Sequence, residues 1–321
     1  MRKILGLWLG LLLASVTAEA QYKAKFDDYT SFEAGIGGAW YYGDLAPIKD
    51  FLQSTIHNTY WNVSVGVNRQ ISRRFEIGAG LMWARLGADD IHSSKLENYA
   101  RNLHFRNDVN EASLQLRYLP FTNASSQFKR NLIQPYIGAG IGYYIHNPKA
   151  KIPVDMGDQW VALQPLGTEG QNTGNEVYAT PYALNGISIP ISIGIRMKYK
   201  RNIDIAFELG YRVLFTDYID DVSSIYPNTL LFSGSDRALV TRMSRRVEEL
   251  IHARTGQDRT SQLIYLLEKN NLPTNDPLSE LASLGGVGSK RGTVDGNDSY
   301  LVATVKIRYL IPTTIKCPKL K

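Results

Sequence analysis

The sequence predicts an all-β protein: an eight-stranded antiparallel transmembrane β-barrel with long extracellular loops and a helical insertion in the last of them. Three observations predict it. The chain opens with a secretory leader, eight stretches alternate apolar and polar side chains, and the connections between them alternate short and long.

The leader is read from its parts. Arg2 and Lys3 precede the apolar run "ILGLWLGLLLASV", and "TAEA" supplies an Ala-x-Ala site, so cleavage is expected after Ala20. Residues 21–321 would then form a single outer-membrane barrel domain. The run is shorter than the ~20 residues of a spanning helix, and no later segment is continuously apolar. Charged residues make up 21% of the chain, which argues against a helical membrane protein. A net charge of +6 gives no reason to invoke nucleic acid. The single cysteine, Cys317, has no intramolecular partner in an oxidising compartment.

The alternating stretches are 32–45, 60–72, 75–86, 109–121, 134–147, 186–200, 203–217 and 299–311. Each has the two-residue period of a strand with two different faces. In the second, Trp61, Val63, Val65 and Val67 alternate with Asn62, Ser64, Gly66 and Asn68. In the fifth, Ile137, Ala139, Ile141 and Tyr143 alternate with Tyr136, Gly138, Gly140 and Gly142. Glycine is costly in an ordinary strand, yet here it clusters on the polar face. A narrow barrel explains this, because its interior cannot hold eight large side chains at every level. The same face carries Glu33, Glu76, Glu111, Asp204 and Glu208 beside Arg117, Arg196, Lys198, Arg212, Lys306 and Arg308. Their near balance suits a mutually paired interior, since unpaired buried charge is expensive. On the apolar face, Trp40, Trp61, Trp83, Tyr118, Tyr143, Tyr199 and Tyr309 read as aromatic girdles at two membrane interfaces.

With both termini in the periplasm, the short inner connections are "ISRR" (71–74), "TNASSQFKRNLI" (122–133) and "KYKRN" (198–202). The outer ones are about 46–59, 87–108, 148–185 and 218–298. The inner turns are basic, with Arg73, Arg74, Lys129, Arg130, Lys200 and Arg201 able to meet an acidic surface or lipid headgroups. The outer rim is acidic, with Asp44, Asp89, Asp90, Asp217, Asp220 and Asp221. These carboxylates suit capping and rim hydrogen bonds, or alternatively Ca²⁺. In the last loop, 222–298, helical spacing is expected over 235–254 and 258–271, either as a lid on loop 148–185 or as a partner-binding element.

Chemistry is sparse. The five histidines form no HxxxH or HxH pair, and none shares a strand end with an obvious serine nucleophile. His146, at a strand top, is the most plausible base if the barrel is an enzyme. "QPLGTEGQ" (164–171) lacks the strand-to-helix context of a phosphate loop and reads as an ordered turn. No cofactor, metal or small-molecule substrate is expected, and eight strands leave no diffusion channel.

Several stretches together, "YYGDL" (41–45), "RNLHFRND" (101–108), "PYIGAGIGYYIHNPKA" (135–150), "LQPLGTEGQ", "SIPISIGIRMKY" (188–199) and "FELGYRVLFTDYIDDVS", resemble the PorG-type outer-membrane barrels of Bacteroidetes. "LQPLGTEGQ" and "FTDYIDDVS" are the most specific. The resemblance implies a non-enzymatic component of the type IX secretion system, which exports proteins across the outer membrane and in many species supports gliding motility. It also implies association with a periplasmic ring of PorK/GldK-type lipoprotein and PorN/GldN-type protein. A barrel enzyme acting on lipid or peptide and a surface adhesin are the alternatives.

Overall fold

The computed structural model describes residues 26–46, 56–122, 124–293 and 296–312. The leader, residues 47–55 of the first outer loop and the tail with Cys317 lie outside them.

All eight expected strands form: β1 (Tyr29–Tyr42), β2 (Tyr60–Gln70), β3 (Phe75–Asp89), β4 (His104–Tyr118), β5 (Ile133–Ile145), β8 (Asn185–Lys200), β9 (Ile203–Leu214) and β10 (Ser299–Leu310). Each pairs antiparallel with its neighbour, and β1 pairs with β10 from Ser31↔Leu310 to Tyr42↔Ser299, so the sheet closes. Closure leaves no barrel edge whose backbone groups would be orphaned in hydrocarbon. Two short strands were not foreseen. β6 (Pro148–Lys151) and β7 (Trp160–Ala162) form a hairpin that pairs on to the top of β4. The loop expected at 87–108 is shorter than its sequence suggested, because β3 and β4 run on above the membrane to Asp89 and from His104.

The face assignment holds. Ile36, Leu81, Leu114, Ile141, Ile193 and Ile307 are exposed on the outer wall, while Asn62, Glu76, Arg117, Ser192, Arg196 and Arg308 are buried inside. An exposed apolar band around a closed cylinder is a lipid-facing belt. Trp61 and Trp83 contact edge to face at 4.6 Å on its loop side, and Phe75 and Tyr118 lie 5.3 Å apart on its turn side. The interior glycines are explained by close approach: a Cβ on Gly140 would meet the Leu114 carbonyl oxygen, and one on Gly37 the Ala303 carbonyl oxygen.

Above the belt the outer loops form a cap. α1 (Leu96–Arg101) packs against α3 (Thr260–Lys269) and α4 (Pro277–Leu284) through Leu96, Tyr99, Leu263, Leu266, Leu267 and Leu281. In α3 the buried leucines fall at i, i+3 and i+4, one face of a helix. α4 starts where the Asp276 side chain accepts from Ser279 N, with Pro277 in its first turn. α2 (Arg237–Ser244) sets Met243 against Ala150, Ile152 and Leu163. Of the three helices of the last loop, α2 packs on loop 148–185, and the other two rest on α1. The helix expected over 235–254 stops at Ser244. Beyond it the Arg246 guanidinium grips Glu249 at 2.8 Å and the Lys151 carbonyl at 2.9 Å instead of pointing to water.

Candidate functional site

The centre of the lumen holds an ion-pair network. Glu76 on β3 accepts from Arg196 on β8 (2.9 Å), Arg308 on β10 (2.7 Å) and Arg117 on β4 (3.2 Å). Glu33 takes Arg117 (3.1 Å) and Lys306 (3.2 Å), and Glu208 takes Lys306 (2.8 Å) and Arg117 (3.4 Å). Higher up, Glu111 accepts from Ser188 (2.8 Å), Tyr300 (2.9 Å) and, at 3.4 Å, Arg212. A residual cavity of about 30 Å³ is lined by Gln115, Arg117, Glu208 and Lys306, enough for a single water. The lumen is therefore a filled core that leaves no passage.

Two predicted lumenal residues sit differently. Asp204 joins no member of the central network but pairs with Arg130 at 2.8 Å. Lys198 lies half-buried at the inner mouth, its Nζ 3.3 Å from the Phe128 carbonyl, where a bulge between Lys198 and Lys200 interrupts regular pairing.

Arg130 itself is a correction. It was expected to face a partner, yet it is 4% exposed and corks the inner mouth. Besides Asp204 it donates to the carbonyls of Gln127 (2.6 Å), Arg201 (2.7 Å) and Lys200 (2.7 Å). A lumenal carboxylate and three converging carbonyls outweigh hydration of one turn arginine. Lys129, Lys200 and Arg201 are exposed at that end, and Arg73 and Arg74 are half-buried.

The acidic rim is likewise mostly inside protein. Asp89 accepts from His252 Nε2 (2.8 Å) and Arg254 Nε (2.6 Å), while Asp90 takes both arms of Arg101 (2.7 and 2.8 Å). Asp44 accepts from Thr293 N at 2.8 Å. The Tyr41 hydroxyl stands 2.6 Å from both Asp220 Oδ2 and Asp298 Oδ1. One phenolic hydrogen cannot serve two carboxylates, so one of the pair carries a proton. Burial raises both acids well above the usual range, each repelled by further aspartates. Burial also lifts the half-buried Asp217, to about 7.

The centre of the cap is a clasp between two loops. In 164–171, Gly167 and Gly170 take left-handed φ (62° and 87°), which turns Thr168 and Glu169 inward. Thr168 donates to Asp221 at 2.5 Å, and Tyr182 donates to its other oxygen at 2.6 Å. Glu169 accepts from Ser223 N (3.0 Å), Ser224 N (3.2 Å) and Ser224 Oγ (2.7 Å). Arg291 closes it, donating to Glu169 Oε1 at 2.7 Å and the Asp221 carbonyl at 2.9 Å. Asp221 itself sits at φ 69°, a conformation aspartate tolerates through local hydrogen bonding.

His146 and His252 are both held by hydrogen bonds. His146, the expected base, is buried between Asn107 Nδ2 (3.0 Å) and the Ala183 carbonyl (3.3 Å). Sequence reasoning missed a different array: His252 Nδ1 lies 2.6 Å from Thr255 Oγ1 while its Nε2 faces Asp89. Asp89 lies far from both in sequence, so no motif signals the arrangement.

Closed pairing, a lipid-facing belt and a filled interior define the class: an integral membrane β-barrel of the outer-membrane type with a folded cap. The family model described as a domain of unknown function (DUF6089) matches residues 8–157. No curated protein matches the chain. Among solved structures it is similar to Neisserial surface protein A (7% identity, TM-score 0.39, 88% of this chain and 98% of that one). It is also similar to Ail of Yersinia pestis in complex with a heparin analogue (6%, 0.36, 89% and 100%) and to the N-terminal barrel of Pseudomonas aeruginosa OprF (9%, 0.32, 89% and 100%).

Proposed function

We propose that the chain is a non-enzymatic outer-membrane component of the type IX protein secretion and gliding machinery, anchored beside a periplasmic ring of PorK/GldK-type and PorN/GldN-type proteins. The clasp carries this reading. "LQPLGTEGQ" and "FTDYIDDVS", through which the chain most specifically resembles the PorG-type barrels, are the two halves of one buried assembly joined by Arg291. The filled lumen suits an anchor better than a channel. Arg73, Arg74, Lys129, Lys200 and Arg201 stand at the short-turn end, where a ring would be met.

Tagged protein drawn from its native membrane in mild detergent is expected to bring the ring proteins with it, and deletion of its gene is expected to abolish export of cargo. Normal export in the deletion strain would overturn the proposal.

A second reading rests on the Asp89–His252–Thr255 array, in which a carboxylate orients an imidazole whose other nitrogen can accept a hydroxyl proton. It makes the cap a hydrolase, and Thr255→Ala with unchanged phenotype would sink it. Thr255 Oγ1 also accepts from Gln257 N at 3.4 Å, the contact of a hydroxyl that closes a turn.

A further inference from the structure

A pair of like charges on the outer wall lacks an explanation in terms of the fold. On β3 and β4 above the belt, Leu86, Phe105 and Asn107 point inward and are at most 1% exposed. Strand alternation therefore turns Arg85, Arg106 and Asp108 outward. Arg106 stands directly opposite Lys149 of β6 in the ladder, so both side chains project from the same face. Facing side chains have Cβ atoms about 5 Å apart, and like charges so placed repel.

Neighbouring cations are neutralised. Arg85 is held by Asp108 through bonds of 2.6 and 2.9 Å, and Lys151 by Asp158 at 2.9 Å. Neither Arg106 nor Lys149 has a carboxylate partner among the described residues. Arg106 is nonetheless held in place: its guanidinium lies 4.3 Å over the Trp160 ring, supplied by the same hairpin as Lys149. Stacking fixes the plane of the fork and leaves its N–H edge for an acceptor.

Position selects the acceptor. Gly87, the β3 residue opposite Arg106, is four residues beyond the girdle residue Trp83, or about 13 Å along a tilted strand. That is roughly the headgroup layer of the leaflet on the loop side. The wall here continues upward from the lipid-facing surface, so the anion that reaches it is one tethered to lipid.

We propose that Arg106 and Lys149 form a binding pair for the phosphate of a lipid headgroup in that leaflet, with Trp160 as the platform that holds the arginine.

The test uses the full-length protein in neutral detergent, titrated with diphosphoryl lipid A and with the same glycolipid stripped of phosphate. Wild type is expected to prefer the phosphorylated form. Lys149→Gln and Arg106→Gln/Lys149→Gln are expected to weaken that binding progressively, by about tenfold or more in the double variant. Arg106→Lys/Lys149→Arg should restore most of it, and Lys129→Gln, in an inner connection at the opposite end of the barrel, should leave it unchanged. Circular dichroism identifies any variant that fails to fold, and Lys149→Gln, which alters one half-buried surface side chain, keeps the test open if the double variant does. Equal binding of the two glycolipids, or full affinity in folded Lys149→Gln and double variants, would overturn the proposal. Displacement of the lipid by inorganic phosphate at submillimolar concentration would overturn the lipid assignment by showing a site for the free ion.

Discussion

The Arg196 guanidinium on β8 and the Glu76 carboxylate on β3 meet at 2.9 Å across the barrel, 120 residues apart in the chain. Glu76 also holds Arg308 and Arg117, so one carboxylate offsets cations from three other strands. Glu76→Gln strands buried positive charge and is expected to cost about 3–5 kcal/mol. Lys198→Gln, at the wetter mouth, should cost no more than about 1 kcal/mol. Urea unfolding in detergent micelles checks both. Equal midpoints for the two variants would mean that the lumen is not held as described.

The cap depends on Arg259. It donates to the carbonyls of Glu249 (2.6 Å), Tyr99 (2.7 Å), Ala100 (3.3 Å) and Val247 (3.0 Å), joining α1 to the last loop without a carboxylate partner among the described residues. Burial accordingly lowers its pKa to about 10. Arg259→Met leaves four acceptors short of a donor and should make the chain between residues 245 and 290 sensitive to protease while the barrel stays resistant.

Leu266 and Leu267 are almost fully buried between α3, α1 and α4. Leu266→Ala is expected to destabilise the cap by about 2–5 kcal/mol. The exposed Tyr265→Ala should change it by under about 0.5 kcal/mol. Hydrogen exchange of the α3 amides distinguishes the two.

The cap should respond to pH. Burial raises Asp217 to about 7, with Asp44 and Glu169 adding repulsion, whereas in the unfolded chain it titrates near about 3.9. The folded cap therefore holds the extra proton. Stability from this group is fully present below pH about 4 and is lost as pH rises through about 7. Burial pushes His146 the other way, to about 4, so its contribution is lost as pH falls from about 6.5 through that value. The two oppose each other in the acidic range; above pH about 6.5 the histidine no longer contributes, and the raised Asp220 and Asp298 act in the same direction as Asp217. Proteolysis of the cap should accelerate between pH about 6.5 and 8, and Asp217→Asn should lessen that rise.

Under the proposed association with a periplasmic ring, reversing the charge of Arg73, Arg74, Lys200 and Arg201 together is expected to release the ring proteins while leaving barrel content by circular dichroism unchanged. Arg130→Glu should instead disturb the barrel, because that side chain is bound to Asp204. Retention of the partner by the four-residue variant would place its contact elsewhere.

The staves were legible because lipid on one side and a crowded interior on the other impose a two-residue period that nothing local opposes. Gly138, Gly140 and Gly142 on one face even reported the crowding. The cap was less legible. Its arginines look in sequence like solvated surface residues, yet Arg101, Arg246, Arg259 and Arg291 are buried on carbonyls and carboxylates, several supplied from distant loops. The aspartates of "TDYIDD" have the sequence character of an outer rim, whereas Asp220 and Asp221 are sealed by tyrosine, threonine and arginine. β6 and β7 are too short to show a period, and α2 ends two residues before Arg246, whose guanidinium is held by Glu249 and the Lys151 carbonyl. Such choices are made by contacts that no window of neighbouring residues contains.

The pairing of β1 with β10 fixes an order of events during assembly. β2 can satisfy one edge of the first stave at once, but the other edge has its partner only in the last stave, and the whole of the α2–α4 excursion comes between β9 and that one. A nascent chain is therefore at its most vulnerable just before completion, when it has to be shielded by something other than itself.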